Sequence, residues 1–338
     1  MSEFFAGTNT EVGFTGYLEE YFSPLKKVYI IKGTAGSGKS TLLKRLFSGA
    51  AEKGYEVHRI RCSSDPSSLD GIILPERGVA VADGTAPHVL EPKHPMVREF
   101  LVDVGRFMDE SKLSRENILL AAKEKSTHFT RAYGYIKSAV FAERNRASLL
   151  SEGLDIQKLY SFANRFYVKN LRGERGNIQY RVANAFTGKG IQVCNPFPKA
   201  KRTLFLNGCR GCESVFLDMV KDIALSENQK ITLCPHPTDS KRINGIYFHG
   251  REVYLTANKQ EEGESVNLSR FFIKGYFSSS RTLLKDSGVL VKTAYALAEK
   301  ELSYASHFHG VLEQNYIPAM DFSMLEGEYI RLLKAVTE

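Results

Sequence analysis

The fold of the chain is decided by one glycine-rich stretch, which reads Gly33-Thr34-Ala35-Gly36-Ser37-Gly38-Lys39-Ser40-Thr41. An apolar run, Val28 to Ile31, precedes it, and an amphipathic run, Leu42 to Ala50, follows it. The spacing matches G-x-x-x-x-G-K-[S/T] between a strand and a helix, which is the context that a phosphate-binding loop requires. The stretch therefore predicts an α/β fold of P-loop NTPase type, with a parallel sheet flanked by helices.

The residue types in this stretch explain the chemistry that it predicts. The glycines let the backbone curl until successive N–H groups point inward at phosphate oxygens, and the following helix adds the positive end of its dipole. We expect Lys39 to contact the β- and γ-phosphates of a nucleoside triphosphate and the Ser40 hydroxyl to bind Mg²⁺. The sequence thus predicts nucleotide binding by the whole stretch from Gly33 to Thr41.

A second landmark is the small-residue apolar strand Val79 to Asp83, which ends in an acid. Ligands of α/β sheets lie at the carboxyl ends of parallel strands, so Asp83 is expected to hold Mg²⁺ opposite Ser40. In the loop that follows, His88 or Glu91 could orient an attacking water or sense the γ-phosphate. For each of these two residues taken singly, an ordinary place in a surface loop is the simpler interpretation.

Length and composition indicate a two-domain globular chain. It has 338 residues, of which 43% are hydrophobic and 25% charged, and that balance is ordinary for a water-soluble domain. The sequence contains no apolar run of ~18 residues, so no membrane partner is expected. The start lacks a signal-peptide pattern and the five cysteines form no dense framework, which together favour a cytoplasmic location.

The sequence contains an internal repeat. Segments recur in the same order in both halves: 27–33 with 202–208, 33–40 with 208–214, 69–73 with 243–247, 79–83 with 253–257 and 102–107 with 266–271. The copies differ where chemistry would occur. When the two copies are aligned, Glu213 stands at the position of Lys39, Cys212 at that of Gly38 and Ala257 at that of Asp83. A carboxylate repels a triphosphate, so the second copy is predicted to be degenerate and to pack against the first.

Two further roles are conceivable for the degenerate loop. Arg210 could reach the first site as an arginine finger within the chain. Cys209 and Cys212 have zinc-ligand spacing, with Cys194, Cys234 or His236 as remaining ligands. Because the cysteine pair lies inside the degenerate phosphate loop, the simpler interpretation is that the pair arose as that loop lost its motif.

The repeat suggests three regions: an active P-loop domain with a helical extension (1–171), a basic linker (172–201) and a degenerate P-loop-like domain with C-terminal helices (202–338). From Met96 to about Leu171 the pattern is mainly helical, and Val97, Phe100, Leu101 and Val104 open a core-facing stripe. Between Arg165 and Arg202, nine basic residues face one acid, Glu174. This segment could contact nucleic acid or a protein partner, although a solvated helix end and linker is the simpler interpretation.

The chain resembles a family of poorly characterised bacterial ATPase-like proteins with tandem P-loop domains. The resemblance is carried by residues 33–42, 62–76 and 83–88, and near the end by 309–313 and 316–322. It implies two P-loop units, and this chain departs from it at Cys212-Glu213, where the family has an intact second loop. The family carries no assigned substrate.

The leading functional prediction is Mg²⁺-dependent binding and hydrolysis of a nucleoside triphosphate at one site. The lack of an N-K-x-D-like guanine signature favours ATP. One alternative is a small-molecule or nucleotide kinase whose acceptor loop is 62–76. The other is a regulatory module that binds nucleotide and presents the basic segment to a partner.

Overall fold

The fold is described from a computed structural model that covers residues 1–208, 211–258 and 263–338. Its first part comprises β1 (Glu3–Phe5), β2 (Gly7–Thr10), β3 (Gly13–Gly16), α1 (Leu18–Phe22), β4 (Lys27–Lys32), α2 (Lys39–Glu52), β5 (His58–Arg61), β6 (Leu69–Leu74), β7 (Val79–Asp83), β8 (Glu99–Asp103), α3 (Arg115–Glu152) and α4 (Ile156–Asn170). Its second part comprises β9 (Ile178–Tyr180), β10 (Asn184–Thr187), β11 (Gly190–Val193), β12 (Arg202–Asn207), α5 (Glu213–Ser226), β13 (Ile231–Pro235), β14 (Ile243–Phe248), β15 (Val253–Thr256), β16 (Glu264–Asn267), α6 (Tyr276–Ser279), α7 (Arg281–Tyr316) and α8 (Met324–Thr337).

The first sheet has the order β1-β5-β6-β7-β4-β8 and is mixed. β4 lies between β7 and β8 and is parallel to both, whereas β6 is antiparallel to β5 and β7. The prediction of a wholly parallel sheet is therefore wrong. The reason is the length of the connections around β6, which are too short to hold the crossover that parallel neighbours need.

The second sheet repeats the first strand for strand. Its order is β16-β12-β15-β14-β13-β9, and β14 is the strand that runs antiparallel to both of its neighbours. Two antiparallel hairpins, β2-β3 and β10-β11, follow the edge strands β1 and β9 in the same way. The predicted duplication of an α/β unit is thus confirmed as two similar halves.

The helical stripe predicted from Val97 onward is wrong. Residues Glu99–Asp103 form β8, and the 3₁₀ turn Gly105–Phe107 follows. Within this strand Val102 is buried, whereas Leu101 is 55% exposed and Asp103 is exposed, which is the alternation of a strand. Apolar residues of the strand and of the turn together imitate helical spacing.

The two long helices join the halves. α3 and α7 pack along each other over an extended contact, and Ala132, Ile136, Ala298 and Leu302 form a shared apolar cluster between them. Alanine at these positions lets two helix backbones approach closely. None of the helices in the described ranges combines the length and the apolarity needed to cross a membrane.

The short helices after α3 and α7 are exchanged between the halves. α8 packs on α2, and Leu325, Leu332 and Val336 belong to the apolar core of the first sheet. α4 packs on α5, and Leu159 and Tyr167 belong to the core of the second. Each half therefore completes its core with a helix from the other side of the repeat.

The segment 172–201, interpreted from the sequence as a basic linker, carries β9, β10 and β11. β9 is the edge strand of the second sheet, and the hairpin β10-β11 packs against β2. At this contact Thr8 Oγ1 donates to the carbonyl of Pro237 (2.6 Å), and Asn9 Nδ2 donates to the carbonyl of Phe186 (2.8 Å). The halves pack directly on each other here.

Candidate functional site

The glycine-rich loop connects the carboxyl end of β4 to α2, in the strand–loop–helix setting that the sequence predicts. α2 begins at Lys39, and Gly38 precedes it with φ of 81°. Gly36 also has a positive φ, 71°. Both conformations favour glycine, because a Cβ would strain them.

The Lys39 ammonium lies inside the loop. Its Nζ donates to the carbonyl oxygens of Thr34 (2.6 Å) and Gly33 (3.1 Å) and lies 3.6 Å from Asp83 Oδ2. The side chain is buried, with 10% exposed. The ammonium is thus held by loop carbonyls next to the Asp83 carboxylate, which the sequence predicts opposite Ser40.

Asp83 reaches this position because β7 and β4 are parallel neighbours. Asp83 is the register partner of Ile31, so both strands end at the same edge of the sheet. Its Oδ1 accepts from the backbone N–H (2.9 Å) and hydroxyl (2.6 Å) of Thr85. The carboxylate is therefore fixed at the strand end.

The remaining loop residues differ in their surroundings. Ser40 Oγ accepts from the Leu69 N–H (3.1 Å), and Ser37 Oγ donates to the Thr34 carbonyl (2.8 Å). The Thr34 hydroxyl oxygen is buried and finds no hydrogen-bond partner within the described part of the chain. Ala35 is half-buried and Thr41 is exposed.

The two candidates in the loop after β7, His88 and Glu91, have different surroundings. His88 is buried, and its Nε2 lies 2.7 Å from Asp70 Oδ2. Burial alone would lower the pKa of His88, but the Asp70 carboxylate outweighs it and raises that pKa above its ordinary value. Glu91 lies apart: its side chain is 70% exposed and pairs with Lys32 at 2.7 Å.

Both long helices contribute residues near Lys39 that motif analysis did not single out. Lys125 Nζ of α3 lies 3.0 Å from His309 Nδ1 of α7, and His309 Nε2 lies 3.7 Å from Glu313 Oε1. Burial, together with the charges of Lys125 and Lys39, lowers the pKa of His309 to about 4. Only the resemblance in 309–313 pointed to this region, and Lys125 had no sequence signal.

The corner between α7 and α8 covers the outside of the glycine-rich loop. A Cβ added to Gly36 would lie 3.1 Å from the Glu313 carbonyl oxygen, and one added to Gly38 would lie 2.6 Å from Leu325 Cδ1. The loop of the first half is therefore supported by elements from the end of the chain.

The second loop leads into a helix that begins with a carboxylate. α5 begins at Glu213, the position that Lys39 holds in α2. Glu213 Oε2 accepts from the Gly211 N–H at 2.9 Å, and burial raises the pKa of this carboxyl. The carboxylate thus takes a backbone N–H that a bound anion would use. Arg210 and Cys209 lie outside the described residues.

The cysteines of the zinc alternative have other neighbours. Cys194 Sγ accepts from Arg61 (3.8 Å), and Cys234 is fully buried beside Tyr254. Within residues 1–208, 211–258 and 263–338, the one cluster of three ligand-type side chains consists of Cys62, Asp70 and His88.

Acids from other segments neutralise much of the basic segment. Four of its nine cations form ion pairs with glutamates: Arg172 with Glu227, Lys199 with Glu56, Lys201 with Glu252 and Arg202 with Glu264. The local excess of positive charge seen in the sequence is therefore smaller on the folded surface.

Comparisons of the chain with models of known protein families, with curated proteins and with solved structures found no match.

Proposed function

We propose that the chain binds a nucleoside triphosphate with Mg²⁺ at the glycine-rich loop and hydrolyses it slowly, with ATP as the preferred nucleotide. The observation that carries the proposal is the position of Lys39 inside the loop, 3.6 Å from Asp83. An ammonium at this position would neutralise the charge of β- and γ-phosphates.

The same edge of the sheet supplies oxygen ligands suited to Mg²⁺. Ser40 follows Lys39 in the first turn of α2, and Asp83 ends the neighbouring strand. Hydroxyl and carboxylate oxygens are ligands that Mg²⁺ prefers, with phosphate oxygens and waters completing its octahedron. Ser40 and Asp83 would thus place the ion beside the phosphates, where it neutralises the charge that develops on transfer.

Lys125 adds a positive charge for an anionic ligand near Lys39. Its ammonium is near Lys39, and no carboxylate oxygen of the described residues lies within ion-pairing distance of it. Burial lowers the pKa of Lys125; Cys62 and Glu313 oppose that shift, and Lys39 adds to it. A half-buried ammonium with no carboxylate partner among the described residues suits an anionic ligand, and a triphosphate is such an anion.

We assign no catalysis to the second copy. Its helix begins with a carboxylate instead of an ammonium, and the acid at the end of β7 corresponds to Ala257 beyond β15. Glu213 already accepts from the loop backbone, so a phosphate would meet both repulsion and competition.

The test is nucleotide binding and phosphate release by the wild type and Lys39→Ala, each with and without Mg²⁺. Lys44→Ala is the matched control, because Lys44 is exposed on the same helix. We expect Lys39→Ala to lose binding and Lys44→Ala to retain it. Hydrolysis releases free phosphate, whereas a kinase reaction yields a phosphorylated small molecule. Measuring both products therefore distinguishes the two reactions.

A further inference from the structure

Three side chains with metal-ligand atoms lie close together beside the glycine-rich loop. The sulfur of Cys62, a carboxylate oxygen of Asp70 and a ring nitrogen of His88 all lie within 4.8 Å of one another. They come from three places: the end of β5, the beginning of β6 and the loop after β7. The fold, not a local sequence motif, brings them together.

Two buried polar atoms of the cluster, Asp70 Oδ2 and His88 Nδ1, lack a hydrogen-bond partner that meets the geometric criteria among the described residues. Asp70 is 5% exposed, and its Oδ2 has no well-aligned hydrogen-bond donor among the described residues, although His88 Nε2 lies 2.7 Å away. A hydrogen bond requires the N–H to point at its acceptor. Buried ligand atoms without a hydrogen-bond partner, within 4.8 Å of one another, suit a shared cation.

We propose that Cys62, Asp70 and His88 form a binding site for a transition-metal ion, and that zinc is the ion this ligand set favours. A thiolate, an imidazole and a carboxylate are the three ligand types that zinc takes in proteins, whereas Mg²⁺ does not take thiolate. Three protein ligands leave one position of a tetrahedron for water or another small ligand. The site is separate from Ser40 and Asp83 and does not depend on nucleotide binding.

The charges balance when zinc binds. Burial raises the pKa of the Cys62 thiol well above its ordinary value, and Asp70 adds to that rise, so the thiol is protonated in the absence of an ion. Zinc binding would displace the thiol proton to solvent. The divalent ion, one thiolate, one carboxylate and a neutral imidazole then sum to zero, which a buried site requires.

The second half provides an internal control. His236 holds the position of Cys62 in the repeat, since Ile60 and Cys234 pair with the equivalent Gly71 and Gly245. Asn244 replaces Asp70, and the sequence from 257 to 262 contains no histidine. Cys234, two residues before His236, is as buried as any described residue but belongs to no cluster of three ligand-type side chains in the described ranges. Cys234→Ser is therefore the matched variant for Cys62→Ser.

The experiment uses the full chain, stripped with a chelator and titrated with Co²⁺, whose spectrum reports thiolate ligation. We expect one Co²⁺ per chain with a thiolate-to-metal charge-transfer band, displaced by zinc. Cys62→Ser should lose the band, Asp70→Asn should bind Co²⁺ at least about tenfold more weakly, and Cys234→Ser and Lys39→Ala should retain both. No band in the wild type, or a full band in Cys62→Ser, would overturn the proposal. Loss of the band in Lys39→Ala would overturn the independence of this site from the nucleotide loop, whereas loss of nucleotide binding alone in that variant leaves the metal site standing.

Discussion

Lys125 and His309 meet across the two long helices, with Lys125 Nζ 3.0 Å from His309 Nδ1. One residue belongs to the first half of the repeat and the other to the second, so this contact joins the halves beside Lys39. The low pKa of His309 keeps its ring neutral, which allows Nδ1 to accept from the ammonium. The proposed nucleotide site is therefore bounded by both halves.

Replacing Lys125 with methionine tests whether this ammonium serves the nucleotide. Loss of one charge-assisted contact is worth about 1.5–3 kcal/mol, so affinity for the triphosphate should fall roughly 10- to 100-fold. The pKa of His309, followed by NMR, should rise from about 4 as the neighbouring charge disappears. Lys123→Met, at an exposed position on the same helix, is the control. Unchanged affinity in Lys125→Met would remove Lys125 from the site.

Leu332→Ala tests the exchange of helices between the halves. Leu332 of α8 is fully buried in the core of the first sheet, so the substitution should cost about 2–5 kcal/mol. Hydrogen exchange should then accelerate in α2 and β4, far away in sequence, and change little in α5. Faster exchange confined to α5 and β12 would contradict the packing described.

Arg144→Met tests the ion pairs that connect α3 to two loops. Arg144 pairs with the fully buried Asp239 at 2.6 Å and with Glu11 at 2.8 Å. Removal of the cation leaves a buried carboxylate unpaired, and breaking such pairs costs about 3–5 kcal/mol. Denaturant unfolding should report this loss, while Arg131→Met, exposed on the same helix, should stay within about 0.5 kcal/mol of the wild type. Equal stability of the two variants would show that the Arg144 pairs contribute little.

Acidification should destabilise the fold through His58. Burial, with Arg181 nearby and Glu56 opposing, lowers the pKa of His58 from 6.5 to about 4. Between these values the unfolded chain binds a proton that the folded chain does not, so stability is lost as pH falls from about 6.5 toward 4. The loss at pH 5 is on the order of 2 kcal/mol. The free energy of unfolding should depend less on pH in His58→Gln than in the wild type, and the exposed His94→Gln should behave as the wild type does.

The elements around the loop were predictable because their signals are local. The apolar residues of β4 predict a strand, the glycine spacing predicts the loop after it, and the acid at the end of β7 predicts a strand beside β4. The repeat extends this order to the second half. The direction of β6 had no such signal, since a buried strand has the same apolar pattern in either direction. It follows from the lengths of the connections once β5 and β7 are placed.

The other residues of the site could not be predicted, because they are brought together by packing between segments far apart in sequence. Lys125 and His309 are far apart in sequence, and nothing in either helical pattern relates them to a loop that begins at Gly33. Cys62, Asp70 and His88 likewise belong to three separate elements, so their convergence becomes visible only in the folded chain. The exchange of α4 and α8 was hidden for the same reason, because an amphipathic face does not specify which sheet it covers.

The most direct test of the central claim is calorimetric binding of ATP with Mg²⁺ to the wild type, Lys39→Ala and the control Lys44→Ala, with phosphate release measured on the same samples. We predict that the wild type and the control bind and release phosphate in a Mg²⁺-dependent manner, and that Lys39→Ala loses both. Binding and turnover by Lys39→Ala at wild-type levels would contradict the account.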